Sequence, residues 1–157
     1  MGEPDRATVT IKDLPVDDWR NSSFSEDPNG ENANDSADAE GDGISNLMEY
    51  ALFLDPNVSD NIDLPSITIV LDDLGDKHMV LTYKRAVDTN DLIYTVEVSN
   101  NLEDWRSNED GIGDDVTLEL SRFDNGDGTE TVEVYDLFSA MKDSERFIRL
   151  KVSRLEI

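Results

Sequence analysis

The apolar period of this chain changes once, near residue 60, and that change constrains the fold more than any other feature. Beyond it, six short runs carry apolar residues at alternate positions: Ser66–Leu71, Met79–Lys84, Leu92–Ser99, Val116–Ser121, Thr129–Tyr135 and Phe147–Ser153. Tyr94, Val96 and Val98 alternate with Thr95, Glu97 and Ser99. Val116, Leu118 and Leu120 alternate with Thr117, Glu119 and Ser121, and Ile148, Leu150 and Val152 with Phe147, Arg149 and Lys151. Side chains along a strand point to opposite faces, so each run has one apolar and one mainly polar face. Antiparallel sheets packed on one side have this pattern. Turn residues separate the runs at Leu74-Gly-Asp76, Gly111-Ile-Gly113 and Asn125-Gly-Asp-Gly128. The spacing predicts a mainly β chain, folded as an antiparallel β-sandwich.

Upstream the period is helical. Ile44, Leu47, Met48, Ala51 and Leu52 fall on one face of a helix expected over residues 45–54. Ser45 stands at a capping position, and Asp55-Pro56 ends the helix because proline cannot continue it. Residues 21–43 are rich in Asn, Asp, Ser and Gly, include Pro28 and show no apolar period. They read as a long loop, with Trp19 and Phe24 as its apolar anchors. Ala7-Thr-Val-Thr-Ile11 is one possible strand, or the end of a preceding linker. The expected division is a linker or strand over residues 1–18, a loop and helix over 19–60 and a sandwich over 61–157. Residues 19–157 are expected to fold as one unit. With 157 residues there is enough chain to bury a proper core.

Within the loop lies Asp38-Ala-Glu-Gly-Asp-Gly-Ile-Ser-Asn-Leu-Met-Glu49. Acidic residues occupy its positions 1, 3 and 5, Gly43 is at 6, Asn46 at 9 and Glu49 at 12, the ligand spacing of a single EF-hand-type calcium loop. Calcium takes six to eight oxygens, and a short loop supplies them only if alternate residues point inward. Asp38, Glu40 and Asp42 do so from the first half, and Gly43 permits the sharp turn. Ile44 offers its carbonyl, Asn46 acts directly or through water, and Glu49 closes the sphere from the helix. Two positions depart from the usual loop. Glu40 stands where Asp or Asn is usual, and its extra methylene either pushes the carboxylate too far in or makes it bind through water. Ser45 stands at position 8, where paired loops carry an apolar residue, so one loop is expected rather than two. The same residues also fit a solvated acidic turn ahead of a helix, but six positions in register weigh against that.

The net charge of −24 argues against nucleic acid and anionic membrane surfaces, which are recognised with Lys and Arg. It suits divalent cations and high-salt surroundings, and much of it serves solubility. The chain has no cysteine, which excludes disulfides, zinc–thiolate sites and thiol catalysis. No apolar run approaches the roughly 18 residues of a membrane helix. Met1-Gly2 followed by polar residues reads as the start of a piece cut from a longer chain, without a signal peptide.

Other candidate sites carry less. Asp124-Asn-Gly-Asp-Gly-Thr-Glu130 is metal-like, but Tyr135 occupies position 12, and these are hairpin-turn residues. Asp72, Asp73 and Asp76 read as a solvated turn, while Asp110, Asp114 and Asp115 could form a minor cation site. His78 is the only histidine, and no Gly-x-Ser-x-Gly elbow accompanies it, so a serine triad is not expected. With 37 acidic residues, any carboxylate pair is uninformative about glycosidase chemistry. Tyr83, Tyr94, Trp105 and Tyr135 raise a sugar-stacking hypothesis. Alternation assigns Tyr94 to the core, and Trp105 is expected to plug one end of the sandwich.

The loop resembles the bacterial calcium repeats related to thrombospondin type 3 and, more loosely, the dockerin loop. The longer run Gly41-Asp-Gly-Ile-Ser-Asn-Leu-Met-Glu-Tyr-Ala-Leu-Phe-Leu-Asp-Pro56 is similar to a C-terminal module of large secreted proteins from environmental bacteria. Trp19-Arg20 followed by Phe24, and Tyr94-Thr-Val-Glu-Val-Ser99 followed by Leu102 and Trp105, match that module too. The resemblance covers roughly residues 19–153 and implies an extracellular or cell-surface, non-catalytic accessory module. Where the family has Asp-Pro-Asp, this chain has Asp38-Ala39-Glu40. The expected function is a calcium-stabilised spacer, display or attachment unit attached to the domains of a parent secreted protein. Its alternative is a carbohydrate-binding or protein-recognition sandwich, facing a polysaccharide or a cell-surface protein. Calcium is the expected cofactor, at an affinity of roughly 10⁻⁴ M or somewhat tighter.

Overall fold

The structure, a computed structural model, describes residues 14–59, 63–87, 89–111, 113–139 and 145–155. The strand expected at Ala7–Ile11 lies outside those residues. The regular elements are helices α1 (Pro15–Ser23) and α2 (Asn46–Leu52), then strands β1 (Ser66–Leu71), β2 (Lys77–Ala86), β3 (Leu92–Ser99), β4 (Thr117–Asp124), β5 (Thr129–Asp136) and β6 (Phe147–Arg154). All strand pairs are antiparallel. One sheet has the order β1-β2-β5-β4, and the second is the pair β3-β6. The six strands expected from the alternation are all present, within two or three residues of their expected ends.

The two sheets meet through their apolar faces. Met79, Leu81 and Tyr83 of β2 and Val132 and Val134 of β5 pack against Val96 and Val98 of β3 and Ile148 of β6. Val116 joins them just ahead of β4. Residues directly opposite in a sheet share a face, so register says where this core ends. The β3-β6 pair is two strands wide and covers the middle of a four-stranded sheet. Both edge strands of the larger sheet therefore extend past it.

At the β4 edge the simple alternation fails. Leu118 lies opposite Tyr135, whose neighbour Val134 faces the core, so Leu118 is turned outward and is 52% exposed. A register shift between Glu119 and Ser121 leaves Leu120 exposed as well. The inner face carries Glu119 and Arg122 instead. Arg122 pairs with Glu119 and Glu130, and Arg85 also pairs with Glu130. Among the described residues no opposing strand seals this margin of the sheet, and charged residues hold it rather than apolar ones.

α1 was not foreshadowed, because its nine residues bury only Val16. Its local signals are nevertheless in place: Pro15 in the first turn, then Asp17 and Asp18, and Arg20 in the last turn. α2 packs on Val16 and Leu92 through Tyr50 and Ala51. The Trp19 ring lies 5.3 Å from Tyr50 and 6.0 Å from the edge-on ring of Phe24, the anchoring expected of both residues. α2 ends at Phe53, which takes the left-handed conformation with φ of 62°. No helix among the described residues is long and apolar enough to cross a membrane.

Candidate metal centre

A seven-residue helix is too short to stand alone in water, so α2 depends on what surrounds its first turn. The Ser45 side chain does not cap it. Backbone carbonyls of the preceding loop do: Asn46 N–H donates to Ala37 (2.8 Å) and Leu47 N–H to Asp35 (3.0 Å). The loop is folded back on the helix start, which brings the carboxylates of residues 38–42 toward Glu49.

Asp38 organises the turn. Its Oδ1 accepts from the N–H groups of Gly41 and Asp42, and its Oδ2 from that of Gly43. Asp42 Oδ1 accepts from Ile44 N–H at 2.8 Å. Gly41 and Gly43 hold φ of 80° and 94°, where a side chain would be strained. In this turn, side-chain oxygens of Asp38, Glu40 and Asp42 lie within 4.8 Å of one another.

Glu49 comes from the other side. It is 1% exposed, and its Oε2 has no hydrogen-bond partner. Both carboxylate oxygens of Glu40 are likewise buried without a partner, as is Oδ1 of Asn46. No Lys or Arg among the described residues pairs with Asp38, Glu40 or Glu49. Burial, then the negative charges of Glu40, Asp42 and Asp38, push the Glu49 carboxyl up to about 8. Buried polar atoms are nearly always partnered, and adjacent carboxylates repel. Four such oxygens around one acidic turn could together hold a cation that prefers oxygen. An oxygen-only set without sulfur or imidazole suits a hard ion.

Sequence reasoning assigned six residues here, and the structure brings five of their side chains or turns together. Asp38, Glu40 and Asp42 form the cluster, Glu49 presses on it electrostatically, and Ile44 follows in the same turn. Asn46 has a further task, because its buried amide donates to the carbonyls of Asn32 (2.7 Å) and Asn34 (2.8 Å). It ties a 3-10 turn, Glu31–Ala33, to the start of the helix. Glu40 points inward as the alternate spacing expects, with both carboxylate oxygens buried.

Two supporting carboxylates had no local signal. Asp35 accepts from Arg20 and Arg154 and so fastens the loop to α1 and β6. Burial opposes its ionisation, but Arg154 and Arg20 outweigh that and hold its carboxyl below the usual range. Asp91 accepts from Val16 N–H and from the Tyr50 hydroxyl, joining both helices to the start of β3. These pairs span 15 to 119 residues of sequence, beyond the reach of any pattern.

The other candidates resolve into structural roles. Asp124 and Asp127 accept from backbone N–H groups of Gly126 and Thr129, as hairpin-turn residues do. Asp72 accepts from Leu74 and Asp76 N–H groups. His78 is buried, stacked on Tyr135 at 4.8 Å, with Nδ1 at 2.9 Å from the Asp136 carbonyl. Asp110 closes a capping box with Ser107. Tyr83 and Tyr94 stack on each other between the sheets. Trp105 does not plug the end of the sandwich: it is half-buried, and the Arg149 guanidinium lies 3.8 Å from its ring centre. Arg149 lies opposite Glu97 and pairs with it on the outer face of the β3-β6 sheet, which carries Trp105 there too. The four rings do not form a flat exposed row.

Fold and site together define a class: a mainly β, two-sheet domain carrying an acidic loop and a short helix at its edge. No protein-family model, curated protein or solved structure matches the chain.

Proposed function

We propose that this chain is a calcium-binding, calcium-stabilised accessory module of a larger secreted protein, serving as a spacer, display or attachment unit without catalysis of its own. The observation that carries the metal reading is Glu49, a buried carboxylate with an unpaired oxygen, facing an acidic turn that also leaves both Glu40 oxygens unpaired. Asp38, Asp42 and Glu49 would hold the ion directly, Glu40 and Asn46 directly or through water, and Ile44 through its carbonyl. The ion supplies the positive charge that the loop's own residues lack. Metal binding free energy then adds to folding free energy, because the loop has no comparable site when unfolded.

The extracellular and non-catalytic part rests on the resemblance of residues 19–56 and 94–105 to modules of secreted bacterial proteins. Weak single loops also suit the calcium-rich extracellular medium. Arg149 covering Trp105 gives the carbohydrate-binding alternative no supporting observation.

Thermal unfolding in excess calcium, in excess magnesium and in chelator tests the proposal, with Glu49→Gln alongside. A calcium-specific rise in Tm that the variant loses is expected. An unchanged Tm in calcium would sink the metal reading and leave an acidic turn.

A further inference from the structure

We propose that Asn46 holds the ion directly through Oδ1, and that its amide is the strut by which the ion fixes the Glu31–Ala33 turn, upstream of the acidic loop. The proposal rests on the metal reading above and adds the segment that the ion controls.

Asn46 is 1% exposed, and the two ends of its amide are in opposite situations. Nδ2 carries two hydrogens and donates both, to the Asn32 carbonyl at 2.7 Å and the Asn34 carbonyl at 2.8 Å. A carbonyl cannot donate, so these two acceptors fix which end of the amide is nitrogen. Oδ1 therefore points away from them, buried and without a partner. The backbone is held as well, because Asn46 N–H donates to the Ala37 carbonyl at 2.8 Å. Asn46 and Glu49 stand three residues apart in α2, on one side of the helix. Glu49 brings its own unpartnered oxygen toward Glu40 and Asp42. Two orphaned acceptors, one neutral and one acidic, thus line the side of the helix that meets the turn. An ion that prefers oxygen satisfies both.

The nitrogen end carries the consequence. Among the described residues, every other hydrogen bond of residues 29–34 spans three positions of sequence. Ala33 is the only buried residue in that stretch. The turn has little apolar burial, and Asn46 supplies its hydrogen-bonded tie to α2. A cation on Oδ1 draws electron density from the amide and makes its N–H groups stronger donors. Filling the site thereby tightens the two bonds that seat residues 32 and 34. Emptying it leaves a buried acceptor unsatisfied, which favours turning the amide toward water and releasing both carbonyls.

Two substitutions separate the ligand from the strut. Asn46→Ala removes both ends of the amide. Asn46→Asp keeps a ligand oxygen but replaces the donors with an acceptor. Europium(III), a hard ion suited to oxygen ligands, reports its bound waters through luminescence lifetimes in H2O and D2O. In Asn46→Ala the water number should rise by roughly one, while Asn46→Asp should keep that of the unaltered chain. Hydrogen exchange reads the strut. Saturating calcium should slow the amides of Ala33 and Asn34 at least ~10-fold in the unaltered chain, and not in Asn46→Asp. An unchanged water number in europium-loaded Asn46→Ala would overturn the direct contact. Exchange at Ala33 and Asn34 that ignores calcium in the unaltered chain would overturn the strut, with no substitution needed. Failure of the unaltered chain to take up europium is a separate result, which would remove the metal reading and this proposal with it.

Discussion

The two ends of this molecule are held together by different physics. Between the sheets, nine buried apolar residues from four strands and the approach to β4 form one cluster. From Phe24 to Ser45, Ala33 is the only buried residue. That stretch is ordered by backbone carbonyls, by Asn46, by the Arg20–Asp35–Arg154 network and, on our reading, by an ion. Apolar burial is indifferent to pH and metal, while a carboxylate cluster is sensitive to both. One chain can thus have a robust half and a conditional half, joined through Tyr50, Ala51 and Asp91.

The sharpest way to break this contrast is to damage each half separately. Leu81→Ala, in the sheet core, should cost about 2–5 kcal/mol in denaturant unfolding. The loss should be the same in calcium and in chelator; a loss that calcium rescues would mean the halves are not separate.

Next in size is metal removal. At a hundredfold excess over Kd, calcium should stabilise the fold by about 2.7 kcal/mol, or roughly 5–10 °C in Tm. Hydrogen exchange in chelator should rise in residues 29–52 and leave β2 and β5 protected. Uniform deprotection would show that the loop and sheets unfold as one cooperative unit.

Asp35→Asn should follow, at about 1–3 kcal/mol, because it leaves Arg20 and Arg154 without their shared acceptor. Its effect should be larger in chelator, where the loop keeps only its backbone bonds and Asn46 as anchors.

The pH dependence sharpens the same point. The Glu49 carboxyl is raised to about 8 in the folded, metal-free chain, above its usual value of 4.5. The folded state then holds a proton that the unfolded state releases. Stability from this group is fully present below about 4.5 and is lost as pH rises through about 8. In chelator, Tm should therefore fall across that window. Saturating calcium should abolish the fall, since the ion takes the place of the proton. A metal-free Tm that rises over the same range would contradict the buried, unpaired Glu49.

The smallest effect is expected at β4. Leu118→Thr should change stability by no more than about 0.5 kcal/mol, because Leu118 is turned to solvent. A large loss would restore the simple alternation that the register contradicts.

How much was legible in the sequence depended on the range of the interaction. Strand existence was readable because alternation is a property of a few neighbouring residues. The acidic turn was readable because its residues fall within twelve positions of one another. α1 was not, since one buried valine leaves too faint a period. The direction in which β4 faces was not, since a bulge and a narrow opposing sheet decide it. Asp35 and Asp91 were not, since their partners are brought to them only by folding.

The sequence alone therefore determined a mainly β architecture, an acidic turn of defined spacing and a helix directly after it, all from local periodicity and local chemistry. Tertiary structure alone decided that Glu49 is buried against that turn and that two strands cover four. Desolvation, charge proximity and sheet width depend on which distant segments meet, and no pattern of neighbouring residues encodes them.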